Sequence, residues 1–242
     1  MPSLRSVTVV IPVKDDAELL DRCLGALAGQ SVAATEIIVV DNGSADDSAS
    51  VARRHGAIVI DQPTGAIPAA AAAGLDAATA EIIARLDADC IPPATWIETI
   101  ATSIGDASGI TGGADFIDGP RWLRRPLAVL YLGAYYVSLF PALGHVPLFG
   151  SNFAVTREGW RAVADEVHRN DDLVHDDLDL SFHLGPQRRI RFVRSMAMGM
   201  SMRPFADPGA FATRLRRGFH SVVIHWPREL PWLRWIRRGR NP

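Results

Sequence analysis

The sequence predicts an α/β fold with a mostly parallel central sheet flanked by helices. Three features carry that prediction. Short β-branched runs recur through residues 1–104, each is followed by apolar residues at helical spacing, and the runs end in polar, mostly acidic residues. Strands that alternate with helices of about 10–15 residues build βαβ units, and βαβ units build parallel sheets.

Val7–Ile11 is a continuous β-branched run and reads as a buried strand. Asp15 and Asp16 can cap a helix over about Ala17–Ala28, where Leu19, Leu20, Cys23, Leu24 and Leu27 fall at helical spacing. Glu36–Val40 reads as the second strand and ends at Asp41-Asn42-Gly43-Ser44. A helix over Asp46–His55, a short third strand over Ala57–Ile60, an alanine-rich helix over Ala66–Ala80 and a fourth strand over Glu81–Leu86 follow. Beyond Pro92-Pro93 a helix is expected over Ala94–Ile104, then a glycine-rich turn at Gly105–Gly113.

The longest apolar stretch, Pro126–Gly150, is interrupted by Gly133, Ser138, Pro141, Gly144 and Pro147. It falls short of the ~20 consecutive apolar residues a spanning helix needs, so an interfacial or acceptor-lining helix is expected. Its neighbourhood is aromatic, with Trp122, Tyr131, Tyr135, Tyr136, Phe140 and Phe149. A helix is expected from about Glu158. Asp171, Asp172, Asp176, Asp177 and Asp179 then crowd ahead of helical Leu180–Leu184. Met196, Met198, Met200 and Met202 alternate with period two, which reads as one buried strand face. Arg228–Arg240, with Trp232 and Trp235, reads either as an interfacial anchor or as a solvated terminus.

The 242 residues are 48% hydrophobic and 21% charged, which excludes wholesale disorder, a collagen-like fibre and a disulfide-stapled scaffold. Neither an internal repeat nor a clear linker is visible. One domain over 1–242 is expected, with two halves meeting near residue 112 and a basic tail at about 206–242. The net charge of −2 divides into −13 over residues 1–185 and +11 over 186–242. Such a basic end suggests contact with phosphate or anionic lipid. Nothing resembles a nucleic-acid-binding module. Cys23 and Cys90 fit a reducing compartment, and the N-terminus has no secretory-signal pattern, so a cytoplasmic protein is expected, peripheral on the inner face of the plasma membrane.

Parallel strands put their carboxyl ends at one sheet edge, where such folds bind ligands. Here that edge collects Asp15 and Asp16, Asp41, and Asp87-Ala88-Asp89. In an extended segment residues i and i+2 point the same way. Two carboxylates so placed can hold a hard divalent cation, Mn²⁺ or Mg²⁺, against a diphosphate. A lone D-x-D triplet is weak, and the remaining segments decide the reading.

Val9-Val10-Ile11-Pro12-Val13-Lys14-Asp15-Asp16 resembles the opening signature of family 2 glycosyltransferases, which adopt the GT-A fold. Glu36-Ile37-Ile38-Val39-Val40-Asp41-Asn42-Gly43-Ser44 is similar to the family's second-strand segment, and Leu86-Asp87-Ala88-Asp89 to its metal motif. Gly150-Ser151-Asn152-Phe153-Ala154-Val155 resembles its acceptor-side segment, and Asp176-Asp177-Leu178-Asp179-Leu180 its catalytic motif. The resemblance, in order over about residues 7–203, implies a Rossmann-like nucleotide-diphospho-sugar transferase, with a nucleotide-sugar-binding half at about 7–112 and an acceptor and catalytic half at about 113–205. Pro12, Val13, Asp16, Asp41, Asp87 and Ala88 would hold the donor, and Asp89 the metal. Asp177 would be the general base, and Asn152, Asp176 and His183 would serve the acceptor side. The reaction implied is inverting transfer of a sugar, from a UDP-sugar by preference, to an acceptor hydroxyl on a lipid-linked or cell-envelope glycan. Packed negative charge at Asp176, Asp177 and Asp179 is expected to raise the pKa of the base.

Departures from the family pattern matter. His183 stands where the family places an arginine and either orients phosphate or simply packs. The donor-loop asparagine is missing from Gly65–Ala71, and the late metal-binding histidine is missing from Met198–Arg203, where Ser201 and Arg203 could contact phosphate instead. Gln187-Arg188-Arg189-Ile190-Arg191 lacks the tryptophan of a processive motif, so a single transfer is expected. A non-catalytic nucleotide-sugar-binding module is the alternative. A sugar nucleotidyltransferase is disfavoured because Pro12–Asp16 replaces a glycine-rich phosphate loop.

Overall fold

A computed structural model describes residues 4–62, 66–185, 187–205 and 208–240. Its elements run β1 (Val7–Val13), α1 (Ala17–Ala28), β2 (Glu36–Asp41), α2 (Ser48–Arg54), β3 (Ile58–Asp61), α3 (Ile67–Ala77), β4 (Ile82–Arg85) and α4 (Trp96–Ser103). Then follow β5 (Gly109–Thr111), β6 (Asp115–Phe116), α5 (Arg121–Leu143), β7 (Phe153–Thr156), α6 (Arg157–Arg161) and α7 (Asp176–Leu184). The chain closes with β8 (Ile190–Phe192), β9 (Gly199–Met200), a 3-10 turn (Arg203–Phe205), α8 (Pro208–Val223) and α9 (Pro231–Arg240). Gly65 of the donor loop lies outside the described residues.

Seven strands form one sheet in the order β3-β2-β1-β4-β7-β5-β8. All run the same way except β7, which is antiparallel to both β4 and β5. Both faces of β1 are buried, which is why it reads as a continuous apolar run. Val7, Val9, Ile11 and Val13 enter the cluster beneath α1 and α4, whereas Val10 joins Ile38, Val40 and Ile83 beneath α3. Methionines 196, 198 and 200 are buried in the first cluster and Met202 sits at its margin, yet only Gly199–Met200 is strand, paired with β6.

Two expectations are corrected. Asp16 occupies the N-cap position of α1 but makes no capping bond. Asp46 caps instead from the neighbouring loop, accepting the Ala17 N–H at 2.9 Å and the Ser48 N–H at 3.0 Å. The second correction is α5, a continuous 23-residue helix through Pro126, Gly133, Ser138 and Pro141. Packing overrides those local penalties. Ala128 and Leu132 are buried, Tyr135 donates to the Leu148 carbonyl at 2.6 Å, and Tyr136 donates to the Gly112 carbonyl at 2.9 Å. Among the described residues α5 alone is long and apolar enough to cross a membrane, and 17% of its apolar window is buried.

The β5–β7 junction leaves no room for a side chain at Gly112. A Cβ there would overlap the Met196 carbonyl oxygen and come within 2.7 Å of the Asn152 amide nitrogen. Gly112→Ala is expected to destabilise the protein by about 3 kcal/mol. Urea unfolding checks this as a lower midpoint at unchanged slope; an unchanged midpoint would show that the junction relaxes.

Candidate active site

Parallel pairing sets Val13 opposite Asp41, so the loops after β1 and β2 leave the sheet side by side. Each loop fixes the other. The Asp15 N–H donates to the Ser44 hydroxyl at 3.1 Å, and the Ala45 N–H donates to the Asp15 carboxylate at 2.7 Å. Asp41 is buried and accepts the Ser44 N–H at 2.9 Å. Beside it the side-chain oxygen of Asn42 is buried and has no hydrogen-bond partner among the described residues.

The ladder of β4 ends at Arg85, paired with Val10 and Phe153. Asp87-Ala88-Asp89 is therefore a turn, closed by a Cys90 N–H to Asp87 carbonyl bond of 3.1 Å, and not the extended segment expected from alternation. The turn still brings the two carboxylates together: a carboxylate oxygen from each and the Cys90 sulfur all lie within 4.8 Å of one another. Burial, reinforced by the Asp87 charge and opposed by Arg203, pushes the Asp89 pKa up to about 6. Arg203 also spans this edge, 2.5 Å from Asp16 and 3.9 Å from Asp89. Two clustered carboxylates fit a hard divalent cation.

Arg85 joins this edge to the second carboxylate pair. Its guanidinium is buried and lies 2.9 Å from Asp87 and 3.2 Å from Asp176. Burial, partly offset by Arg85, pushes Asp176 up to about 6. Asp177, next in α7, accepts the Gly150 N–H at 2.6 Å and the Leu178 N–H at 2.8 Å, with the Tyr135 hydroxyl 3.4 Å away. Gly150 is required here, since a Cβ would come within 2.6 Å of Arg85 and 3.0 Å of Asp177. Ser151 completes the link by donating to Asp87 at 2.6 Å.

The structure thus brings Asp87, Asp89, Asp176 and Asp177 to one locus, with Asp16 tied in through Arg203 and Asp41 on the same sheet edge. Pro12 is half-buried there. Val13 and Ala88 turn their side chains into the core, and Val13 spends its carbonyl on the Asn42 N–H. Asn152 is corrected outright. It is fully buried, accepts from the Trp96 indole at 2.9 Å and donates to the Gly113 and Met196 carbonyls at 2.8 and 2.7 Å, which uses all its amide hydrogens. Of the two roles open to His183, the packing one fits its position, facing Asp179 and Glu166 at 3.4 Å each. The pKa of Asp179 itself is lowered: burial would push it up, but the facing imidazoles of His183, His225 and His168 hold it well below the usual carboxylate range. Sequence reading named Ser151 only within the acceptor-side segment and Tyr135 only among the aromatic residues, and it missed Arg85. The one signal was a charge inside the apolar run Ile82–Leu86.

The family model described as Glycosyl transferase family 2 matches residues 8–159, which contain both loops, the Asp87–Asp89 turn, Arg85 and Gly150. The chain belongs to glycosyl transferase family 2. Among relatives, Glycosyltransferase AglE of Haloferax volcanii is 33% identical over 120 residues, covering 46% of this chain and 40% of that protein. The chain spans about half or less of the length of the first curated relatives it matches, 40% and 52%. Solved structures share the GT-A fold. Mannosyltransferase PcManGT from Pyrobaculum calidifontis, in complex with GDP-Man and Mn²⁺, aligns with a TM-score of 0.63 at 20% identity, over 100% of this chain and 67% of that one. Glucosyl-3-phosphoglycerate synthase from Mycobacterium tuberculosis, in complex with Mn²⁺, UDP and glucosyl-3-phosphoglycerate, gives 0.56 at 21% identity, over 88% of this chain and 80% of that one.

In this family member the raised pKa of Asp89 has a consequence for stability. The native state keeps the proton to about pH 6, whereas the unfolded chain loses it near 3.9. Ionisation across that window therefore destabilises the native state, with no penalty below about pH 4 and the full penalty above about pH 6. Asp89→Asn is expected to stabilise the metal-free protein by roughly 1–3 kcal/mol at pH 8 and negligibly at pH 4. Thermal unfolding at the two pH values checks this; equal effects at both would refute it.

Proposed function

We propose that the chain transfers a sugar from a nucleotide-diphospho-sugar to an acceptor hydroxyl in one inverting, non-processive step. The observation that carries this reading is the continuous run of contacts from the Asp87–Asp89 turn through Arg85 to Asp176 and Asp177. Asp87 and Asp89 would hold Mn²⁺ or Mg²⁺, which supplies charge neutralisation for a departing diphosphate. Complexes of the neighbouring folds with GDP-Man and Mn²⁺, and with UDP and Mn²⁺, support a nucleotide-sugar donor and a divalent ion. Asp41 and Asn42 lie where the nucleoside would enter, and a nucleobase N–H is the kind of donor the Asn42 oxygen lacks. A UDP-sugar is our preferred donor.

Asp177 is our candidate base. Asp176 is committed to Arg85, whereas Asp177 sits on the α5 side, beside Tyr135, with its carboxylate held by the Gly150 N–H. The acceptor oxygen attacks the anomeric carbon as its proton passes to Asp177, and the bond to the diphosphate oxygen breaks with its electron pair leaving on that oxygen. Entry opposite the leaving group inverts the centre.

A lipid-linked acceptor agrees with the surface beside Tyr135. Trp122, Val129, Leu130 and Val137 of α5 are exposed, and α9 docks alongside, its Trp235 indole donating to the Pro141 carbonyl at 3.0 Å and its ring 5.6 Å from Phe140. Exposed Trp232 and Ile236 extend the apolar face, with arginines at its rim. We read this as a peripheral contact with the inner, anionic membrane face.

Nucleotide release is the decisive measurement, using a panel of UDP- and GDP-sugars with Mn²⁺. Asp89→Ala is expected to lose Mn²⁺-dependent donor binding in calorimetry. Asp177→Asn is expected to keep that binding while turnover falls about 10²–10⁴-fold. Full turnover in Asp177→Asn would remove it as the base. Co-sedimentation with phosphatidylglycerol vesicles is expected for the wild type and to be lost in Val137→Asp/Trp232→Asp; equal recovery on purely zwitterionic vesicles would count against the arginine rim.

A further inference from the structure

Away from that edge, three imidazoles meet one carboxylate oxygen. His168 Nδ1, His225 Nε2 and His183 Nε2 lie 2.7, 3.1 and 3.4 Å from Asp179 Oδ1. One ligand atom from each of the four residues falls within 4.8 Å of all the others. The second nitrogen of His225 identifies its tautomer. His225 Nδ1 is 2.7 Å from the Ser221 carbonyl oxygen, an acceptor only, so Nδ1 carries the hydrogen and Nε2 presents a lone pair. His183 faces Glu166 with Nδ1 and Asp179 Oδ1 with Nε2, each at 3.4 Å, and in its Nδ1–H tautomer it would offer the Nε2 lone pair as well. Neither Nε2 has a hydrogen-bond partner among the described residues, and the His225 side chain is 4% exposed. Buried lone pairs crowded against a carboxylate repel unless something positive lies between them.

We propose that His168, Asp179, His183 and His225 form a tetrahedral Zn²⁺ site. With metal–ligand bonds of about 2.0–2.1 Å, a tetrahedron has edges of about 3.3 Å, against 2.7, 3.1 and 3.4 Å for the three edges at Asp179 Oδ1 and nitrogens within 4.8 Å of one another. At His225 protonation would serve Nε2 only by making an imidazolium ion whose ring centroid lies 5.1 Å from that of His183 and 5.2 Å from that of His168. A single divalent ion achieves it with neutral rings. Three nitrogens and one carboxylate suit zinc, whereas the oxygen-rich Asp87–Asp89 turn suits Mn²⁺ or Mg²⁺. The outer partners are already in place: the Ser221 carbonyl on His225, Glu166 on His183, and the His168 N–H on Asp179 Oδ2 at 2.8 Å. Phe182 stacks on His225 at 4.1 Å, and the half-exposed His168 faces the groove through which an ion would enter. Four protein ligands leave no open position, which makes the site structural. It would clamp α7 to the loop after α6 and to the segment after α8.

Metal content of the untagged full chain tests this independently of turnover. About one zinc per chain is expected to survive gel filtration, in the wild type and in Asp89→Ala alike, and to be lost in His225→Ala. Chelator-stripped wild type titrated with Co²⁺ is expected to develop the intense visible bands of a tetrahedral centre, which Zn²⁺ bleaches; this reading holds even if His225→Ala is insoluble. Wild-type protein that retains no zinc after incubation and gives no tetrahedral Co²⁺ spectrum would overturn the proposal and leave a proton-held cluster. Zinc loss in Asp89→Ala with retention in His225→Ala would place the ion at the sheet edge instead.

Discussion

A buried arginine holds the molecule's two acidic groups together. Moving a guanidinium out of water costs several kcal/mol unless carboxylates and hydrogen bonds replace the water. Arg85 meets that cost with Asp87 two residues on and Asp176 some ninety residues on, at 2.9 and 3.2 Å. Other features follow from this arrangement. The chain entering β7 must have glycine at 150, because any side chain would strike the guanidinium. Ser151 is then placed to donate to Asp87, and the Gly150 N–H to Asp177. Without the central positive charge, Asp87, Asp176 and Asp177 would repel one another at close range.

The parts of this arrangement that could be read in advance are those set by local pattern. β1, β2 and β4 are β-branched because both their faces are buried, and α1 spans the expected Ala17–Ala28 because its apolar spacing is unbroken. Parallel strands then force Asp16, Asp41 and Asp87 to a common edge. Non-local pairing left no such trace. β5 is three residues long in a glycine-rich stretch, and it exists because β7 and β8 flank it. Asn152 was expected on the acceptor side because its segment resembles the family's, yet a buried knot joining Trp96, Gly113 and Met196 needs the same amide. Arg85 disappeared into an apolar run. The histidines at 168, 183 and 225 have no shared spacing, and only the folded chain brings them together.

The charge asymmetry also changes meaning once folded. Not all of the arginine excess in residues 186–242 is free for an anionic partner. Arg203 reaches back to Asp16 and Asp89. Arg234 is fully buried, bound to the Leu143 carbonyl at 2.7 Å, the Phe182 carbonyl at 3.1 Å and Glu229 at 2.7 Å. Such arginines attach α9 to α5 and α7, and what remains for a membrane is the exposed rim. A basic terminus can thus be mortar as well as bait.

Helix α7 shows why these separate features bear on one another. At nine residues it is too short to be stable alone, so its position is whatever its neighbours impose. Leu180 and Leu184 pack into the core beneath the sheet, and Leu178 and Phe182 against Leu143 of α5. Asp179 and His183 face the other histidines, and Asp176 and Asp177 face Arg85 and Gly150. Every side of the helix is therefore engaged by a different chemistry. A shift at the histidine end must move the two carboxylates at its first turn, because a rigid helix of this length has no internal joint to absorb it. The sequence between Asp176 and His183 is constrained from four directions at once, and the carboxylate proposed as base inherits its placement from contacts it does not itself make.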